Sequence, residues 1–196
     1  GGVAAAARAP AGRFGPAKGG GHVLPPRAGS RQGGDISAGD FPGQDQNTFV
    51  VVVDYPAGLT LSKERVDQLY EYGRQLQGKP NVIRVDSPVN YGSDLGKSRY
   101  EALLSAYAAN PASVAALPDA AQQLLKQSLG NSIVVFYVRT NQPTQSDAAI
   151  ATLKSIRNGA APPDSRLLIT GGTAFNQDFI NLILQDTPAA IAFVIL

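Results

Sequence analysis

Residues 48 to 175 spell one strand-helix-strand pattern twice, and that repetition limits the folds open to this chain more than any other feature. The first copy is an apolar run from Thr48 to Tyr55 (TFVVVVDY), a helical stretch from Leu61 to Leu76 and a shorter strand from Val82 to Asp86. The second is Ser132 to Arg139 (SIVVFYVR), a helical stretch from Asp147 to Arg157 and a strand from Arg166 to Thr170. Beyond it the chain reads GGTAFNQDFINLILQDTPAAIAFVIL.

Each copy begins with a run that is apolar on both faces. Phe49, Val51, Val53 and Tyr55 alternate with Val50 and Val52, and Ile133, Val135 and Tyr137 with Val134, Phe136 and Val138. Runs of this kind mark central strands covered on both sides. The second strand alternates instead, which puts Ile83 and Val85 inward and Arg84 and Asp86 outward, and the fourth is short with Arg166 and Thr170 at its ends. Those two belong at the edges. The expected fold is α+β: a ferredoxin-like split β-α-β sandwich with strand order four, one, three, two.

Helical stripes supply the cover. Val66, Leu69, Tyr70, Gly73 and Leu76 share one face behind Ser62 as N-cap with Glu64 in the first turn, and Ala149, Ile150, Leu153 and Ile156 share another behind Ser146. Right-handed crossovers put both helices on one side of the sheet, so the opposite side remains apolar and needs a partner. Part of that cover is expected from a helical insert, residues 91–131, between strands two and three. Tyr100, Leu103, Leu104 and Tyr107 form one stripe ended by Asn110-Pro111, and Ala121, Leu124, Leu125 and Leu129 another that follows Pro118 and ends at Gly130 as C′ residue. An insert of this length meets another domain or subunit more often than it serves as a simple connection.

Composition divides the remainder. Residues 1–40 hold 11 of the 21 glycines and four prolines without periodicity, and read as a disordered tail. Order is expected to begin near Phe41-Pro42-Gly43. The tail carries five of the 17 basic and two of the 15 acidic side chains, so the other 156 residues hold 12 basic and 13 acidic ones and are nearly neutral. That body offers no nucleic-acid footprint. An RNA-recognition domain shares the strand order, but it stacks bases on aromatics in mid-strand beside basic residues, where this chain has valine. The chain contains no methionine, which is expected of a fragment or a processed product.

Catalytic chemistry finds little footing. Without cysteine there is no thiolate nucleophile, disulfide or cysteine metal site, and the one histidine, His22, sits in the tail. Asn90, Asp94 and Glu101 occupy calcium-loop positions one, five and twelve, but Leu95 stands where glycine is needed and Gly92 where an oxygen ligand should be. Gly171-Gly172 lacks the third glycine of a dinucleotide fingerprint and the lysine of a phosphate loop, and reads as a tight strand-to-helix turn with Asp178 in or near the first turn that follows. Neither a metal nor a cofactor is expected, and the chain does not read as an enzyme. At the far end, Asp186-Thr187-Pro188 has the form of a cap with proline at a first helical position, before eight residues without a polar side chain. Residues 186–196 are therefore expected to start a truncated transmembrane helix, since a full span needs about 20 such residues.

The order of these motifs resembles the porter domain of the MMPL family, within the resistance-nodulation-division superfamily of transporters. The matching residues are Phe41-Pro42 before strand one, Val82 to Pro88 at strand two, and Ile169 to Ala174 (ITGGTA) with Asp178 after strand four. The likeness continues into Pro188 and the apolar helix, and Val23-Leu24-Pro25-Pro26 with Ser30 resembles the stretch upstream of the first porter strand, so the cover runs from residue 23 to 196. Residues 1–22 depart from the pattern, because Gly, Ala and Arg stand where such transporters have a membrane helix. The long insert looks more like the second extracytoplasmic loop than the first.

The resemblance implies a porter domain over residues 41–185, on the extracytoplasmic side of a cell membrane. Its implied role is in a proton-driven exporter of lipids or other hydrophobic compounds. Implied partners are a second porter subdomain of the same transporter, a hydrophobic or lipid substrate, and the membrane through the C-terminal helix, with no nucleic acid. Proton-relay residues of such transporters lie on central membrane helices and have no counterpart here. The alternative is a soluble ferredoxin-like module that binds a small molecule as a regulator.

Overall fold

The computed structural model describes residues 47–91 and 95–195. The expected disordered tail and its His22, the stretch from Val23 to Ser30, Phe41-Pro42, and Gly92 and Asp94 of the calcium-loop comparison lie outside the described residues. What is described is a mixed α+β arrangement: a four-stranded antiparallel sheet with several helices.

The strands are β1 (Asn47–Asp54), β2 (Val82–Asp86), β3 (Ile133–Thr140) and β4 (Arg166–Thr170). Their order is β2-β3-β1-β4, with the two valine-rich strands in the middle as their two-faced apolar character requires. Residues directly opposite share a face, so the register sorts the side chains. Phe49 with Val138, Val51 with Phe136 and Val53 with Val134 form the fully buried inner face, joined from β4 by Ile169 and Leu167.

Helix α1 (Lys63–Gln77) and helix α4 (Asp147–Arg157) add Val66, Leu69 and Leu76, and Leu153 and Ile156, to the same buried cluster. Both serine caps form: Ser62 Oγ accepts from the Arg65 amide at 3.2 Å and Ser146 Oγ from the Ala149 amide at 3.1 Å. In α1 the buried tyrosine is Tyr72 rather than Tyr70. Phe136 packs against the helix at Gly73, and Tyr72 meets the Phe136 ring edge-on with centroids 5.3 Å apart.

The insert forms helix α2 (Lys97–Ala109), a 3-10 turn (Pro111–Ala116) and helix α3 (Asp119–Ser128). Asn110 caps the 3-10 turn by accepting from the Ala112 amide at 3.0 Å. Gly130 does not act as a left-handed C′ residue. Leu129 is already extended and bridges to Val134, and the Gly130 amide bonds to the Ile133 carbonyl at 2.9 Å, so the helix runs straight into a sheet-like corner.

Two further expectations need correction. Ile83 does not point inward: a register shift between Val82 and Arg84 forms a bulge, Val82 packs against the core, and Ile83 is 45% exposed. Nor does a helix begin at Asp186. Helix α5 runs unbroken from Gly172 to Ile195, which places Pro188 inside it without the N–H that would bond the Leu184 carbonyl. No helix among the described residues is long and apolar enough to cross a membrane.

Candidate functional site: a half-covered sheet face, a projecting helix and a groove

The outer face of the sheet carries Val50, Val52, Val135, Tyr137 and Leu168, placed there by the same register that buries their neighbours. Helix α3 crosses the β3 side of this face, and its Gln123 and Gln127 line a cleft with Tyr137 and Arg139. On the β4 side no described residue covers it to the same extent. Val50 and Val52 are half-buried, and Leu168 is 51% exposed. Charged pairs rim this apolar strip: Arg166 Nε lies 2.6 Å from Asp54 Oδ2, while the buried Asp86 carboxylate lies 2.6 Å from Arg84 Nε and 3.2 Å from Arg139 Nε. An apolar centre with a charged rim is the usual composition of a protein-docking surface.

The Gly171-Gly172 turn makes a fixed joint. Gly171 has φ 125°, and a Cβ there would sit 2.5 Å from the Thr48 carbonyl oxygen, so only glycine fits. A Cβ on Gly172 would meet Thr144 Cγ2 at 2.6 Å. Thr173 and Ala174 are buried directly behind the turn. Asp178 falls in the second turn of α5, near its start, and its carboxylate pairs with Arg157 Nη2 at 2.9 Å, tying α5 to the end of α4.

After that pair the helix leaves the domain. Phe179 is 53% exposed and Leu184 64%, with Ile180, Leu182 and Ile183 exposed between them, so the apolar residues of this stretch face outward on more than one side. Phe175 and Phe179 stack with their rings nearly parallel, 6.2 Å apart.

The third feature was not legible in the sequence. Between α2, α3 and the end of β2 lies a groove of about 600 Å³ floored by Leu95, Leu103, Leu117, Ala121 and Leu124, with Tyr91 as a wall. Arg84 and Arg99 stand on its lining. Its residues come from four separate stretches, and only the tertiary pairing of the insert with β2 assembles them.

The calcium-loop residues are engaged elsewhere: Asn90 Nδ2 donates to the Val85 carbonyl at 3.0 Å and Glu101 pairs with Lys63 at 3.4 Å. Among the described residues no three acidic or histidine side chains converge in a way that could hold a metal ion. Of the sequence-singled motif residues, Gly171, Gly172 and Asp178 come together at the root of α5, Pro188 lies farther along the same helix, and Phe41 and Pro42 are outside the described residues. Comparison with protein families and with curated proteins finds no match.

Proposed function

We propose that this chain is an extracytoplasmic porter subdomain of a proton-driven exporter of lipids or other hydrophobic compounds, as its resemblance to the MMPL family implies. In this reading the sheet and its two crossover helices are a ferredoxin-like split β-α-β unit. The half-covered outer face is the wall it presents to a second, related subdomain of the same polypeptide. The observation that carries the reading is the apolar strip of half-buried Val50 and Val52 and exposed Leu168 beside α3, bordered by the Asp54–Arg166 pair. The strand order supports it, as does the helix that follows the Gly171 joint with its apolar side chains from Phe179 to Leu184 exposed. Function here would be shape and apolar contact, without a covalent step.

These 196 residues contain no cysteine, so a single introduced thiol tests the reading once any cysteine elsewhere in the gene product has been replaced. Lys154→Cys, at an exposed position on α4, is introduced into the full-length gene product in its own membrane. A membrane-impermeant maleimide added to cells with an intact cytoplasmic membrane should label it fully. Labelling that requires lysis would overturn the assignment. The soluble regulatory module retains one supporting observation, the groove of the insert, and such a module would appear unlabelled in intact cells and in the soluble fraction.

A further inference from the structure

We infer that the groove of the helical insert is a binding site for a single-chain amphiphile with an anionic head. The inference does not rest on the transporter reading, because it concerns a site within the chain that a regulatory module would contain equally.

Three observations converge. At about 600 Å³ the groove falls within the range of about 300–1,000 Å³ usual for small-molecule sites. Its floor is aliphatic: Leu103, Leu117 and Leu124 are only half-buried although they come from three different segments, so the packed insert leaves part of its own apolar stripe uncovered. Its charge has one sign. Arg84 and Arg99 are the charged side chains on the lining, and no acidic side chain among the described residues joins them there.

The two guanidinium groups differ in how far they are already engaged. Arg84 turns its Nε to Asp86 at 2.6 Å, which leaves its terminal nitrogens as donors, and its side chain is 62% exposed. Arg99 is exposed and makes no ion pair among the described residues. A planar fork of donors matches a carboxylate or phosphate oxygen pair, and the leucine floor beyond it matches an alkyl chain. A polar ligand would waste the floor, and a neutral or cationic amphiphile would leave the arginines without a partner or repel them.

The probe is dodecanoate below its micelle concentration, titrated into the chain and followed by the methyl resonances of Leu103, Leu117 and Leu124. Saturable, one-to-one shifts at those methyls are expected. Arg99→Ala and Arg84→Ala should each weaken binding by about tenfold, the loss of one exposed charge-assisted contact. Ala120→Trp, which fills the groove while keeping both arginines, should abolish it. Because Arg99 supports no ion pair among the described residues, that variant remains informative even if Arg84→Ala loosens the Asp86 corner.

Dodecyltrimethylammonium and inorganic phosphate should not compete. Shifts confined to Phe175 to Leu184 of α5, affinity unchanged in the arginine variants, or equal binding of phosphate alone would overturn the assignment. None of these outcomes bears on which side of a membrane the chain occupies.

Discussion

Asn47 at the start of β1 donates from Nδ2 to Thr173 Oγ1 at 2.7 Å, and that hydroxyl in turn donates to the Thr144 carbonyl at 2.6 Å. Both side chains are buried, and they are separated by 126 residues of chain. The contact closes the first strand, the loop before α4 and the root of α5 into one knot, directly beside the glycine turn. The direction in which the apolar helix leaves the domain is therefore set by buried hydrogen bonds. Thr173→Val would keep the shape and remove both bonds. With Asn47 and Thr144 left unpaired, it should cost about 1–3 kcal/mol in chemical denaturation, and a loss below a few tenths would show that the knot is unimportant.

Gly171→Ala should be more damaging than Gly58→Ala, although both glycines have positive φ. At Gly58 a Cβ meets nothing within 4 Å, so only the backbone preference is lost, about 1 kcal/mol. At Gly171 the same Cβ also collides with the Thr48 carbonyl, and a loss of at least ~2 kcal/mol is expected. Equal midpoints for the two variants would contradict this account of the joint.

Amide exchange should be slowest in Val50 to Val53 and Val134 to Val138. These strands are hydrogen-bonded on both sides, whereas β2 and β4 each have one neighbour and β2 carries the bulge at Ile83. Slower exchange across Val82 to Val85 than in β1 would contradict the order.

How much of this was readable from the chain differs from element to element. The central strands declared themselves because burial on both faces demands valine at consecutive positions, and Ser62 and Ser146 did so because capping needs a short oxygen-bearing side chain. Ile83 misled, because a bulge changes which residue faces inward and period-two alternation cannot show where the extra residue falls. Tyr70 and Tyr72 flank the buried stripe of the helix on opposite sides, and the Phe136 ring across the sheet decides which is buried. The Asp186-Thr187-Pro188 signal looked like a helix start, but a helix already under way can carry proline at the cost of one hydrogen bond and a bend. The groove depends on long-range packing and left no local signal.

Helix α2 is held to α1 in part by Lys97 Nζ, 3.1 Å from Asp67 Oδ2. Desolvation pushes the Asp67 carboxyl up, but the hydrogen bond from Lys97 and the charges of Lys97 and Lys63 act against it, and the group titrates below the usual carboxylate range. A carboxyl that binds its proton more weakly when folded stabilises the fold above its unfolded value, about 3.9, and that contribution fades as pH falls through the lower folded value. Carbon-detected titration should place the Asp67 midpoint below that of a free aspartate, and Lys97→Ala should raise it. A midpoint unaffected by the substitution would show that the pair does not hold the carboxyl down.

Ending the chain after Asp178 keeps the Arg157 pair and removes the exposed residues from Phe179 onward. The shortened chain should be monomeric in detergent-free buffer, whereas the full chain, with that apolar surface uncovered, should self-associate or bind detergent. Ending it at Gln185 would not suffice, since Phe179, Ile180 and Leu182 to Leu184 would remain. Equal behaviour of the chains ending at Asp178 and at Leu196 would mean that α5 folds back on the domain in solution.

The central claim is that the half-covered outer face is the one that meets a second subdomain, and a photo-crosslinking amino acid at Leu168 tests it most directly. Placed in the full-length gene product in its membrane, it should form an intramolecular crosslink to a separate extracytoplasmic segment of the same polypeptide. The same group at Lys154, exposed on α4 at the opposite side of the sheet, should not. If Leu168 crosslinks no more than Lys154 does, or only within residues 47–185, the face has no such partner and the porter reading is contradicted.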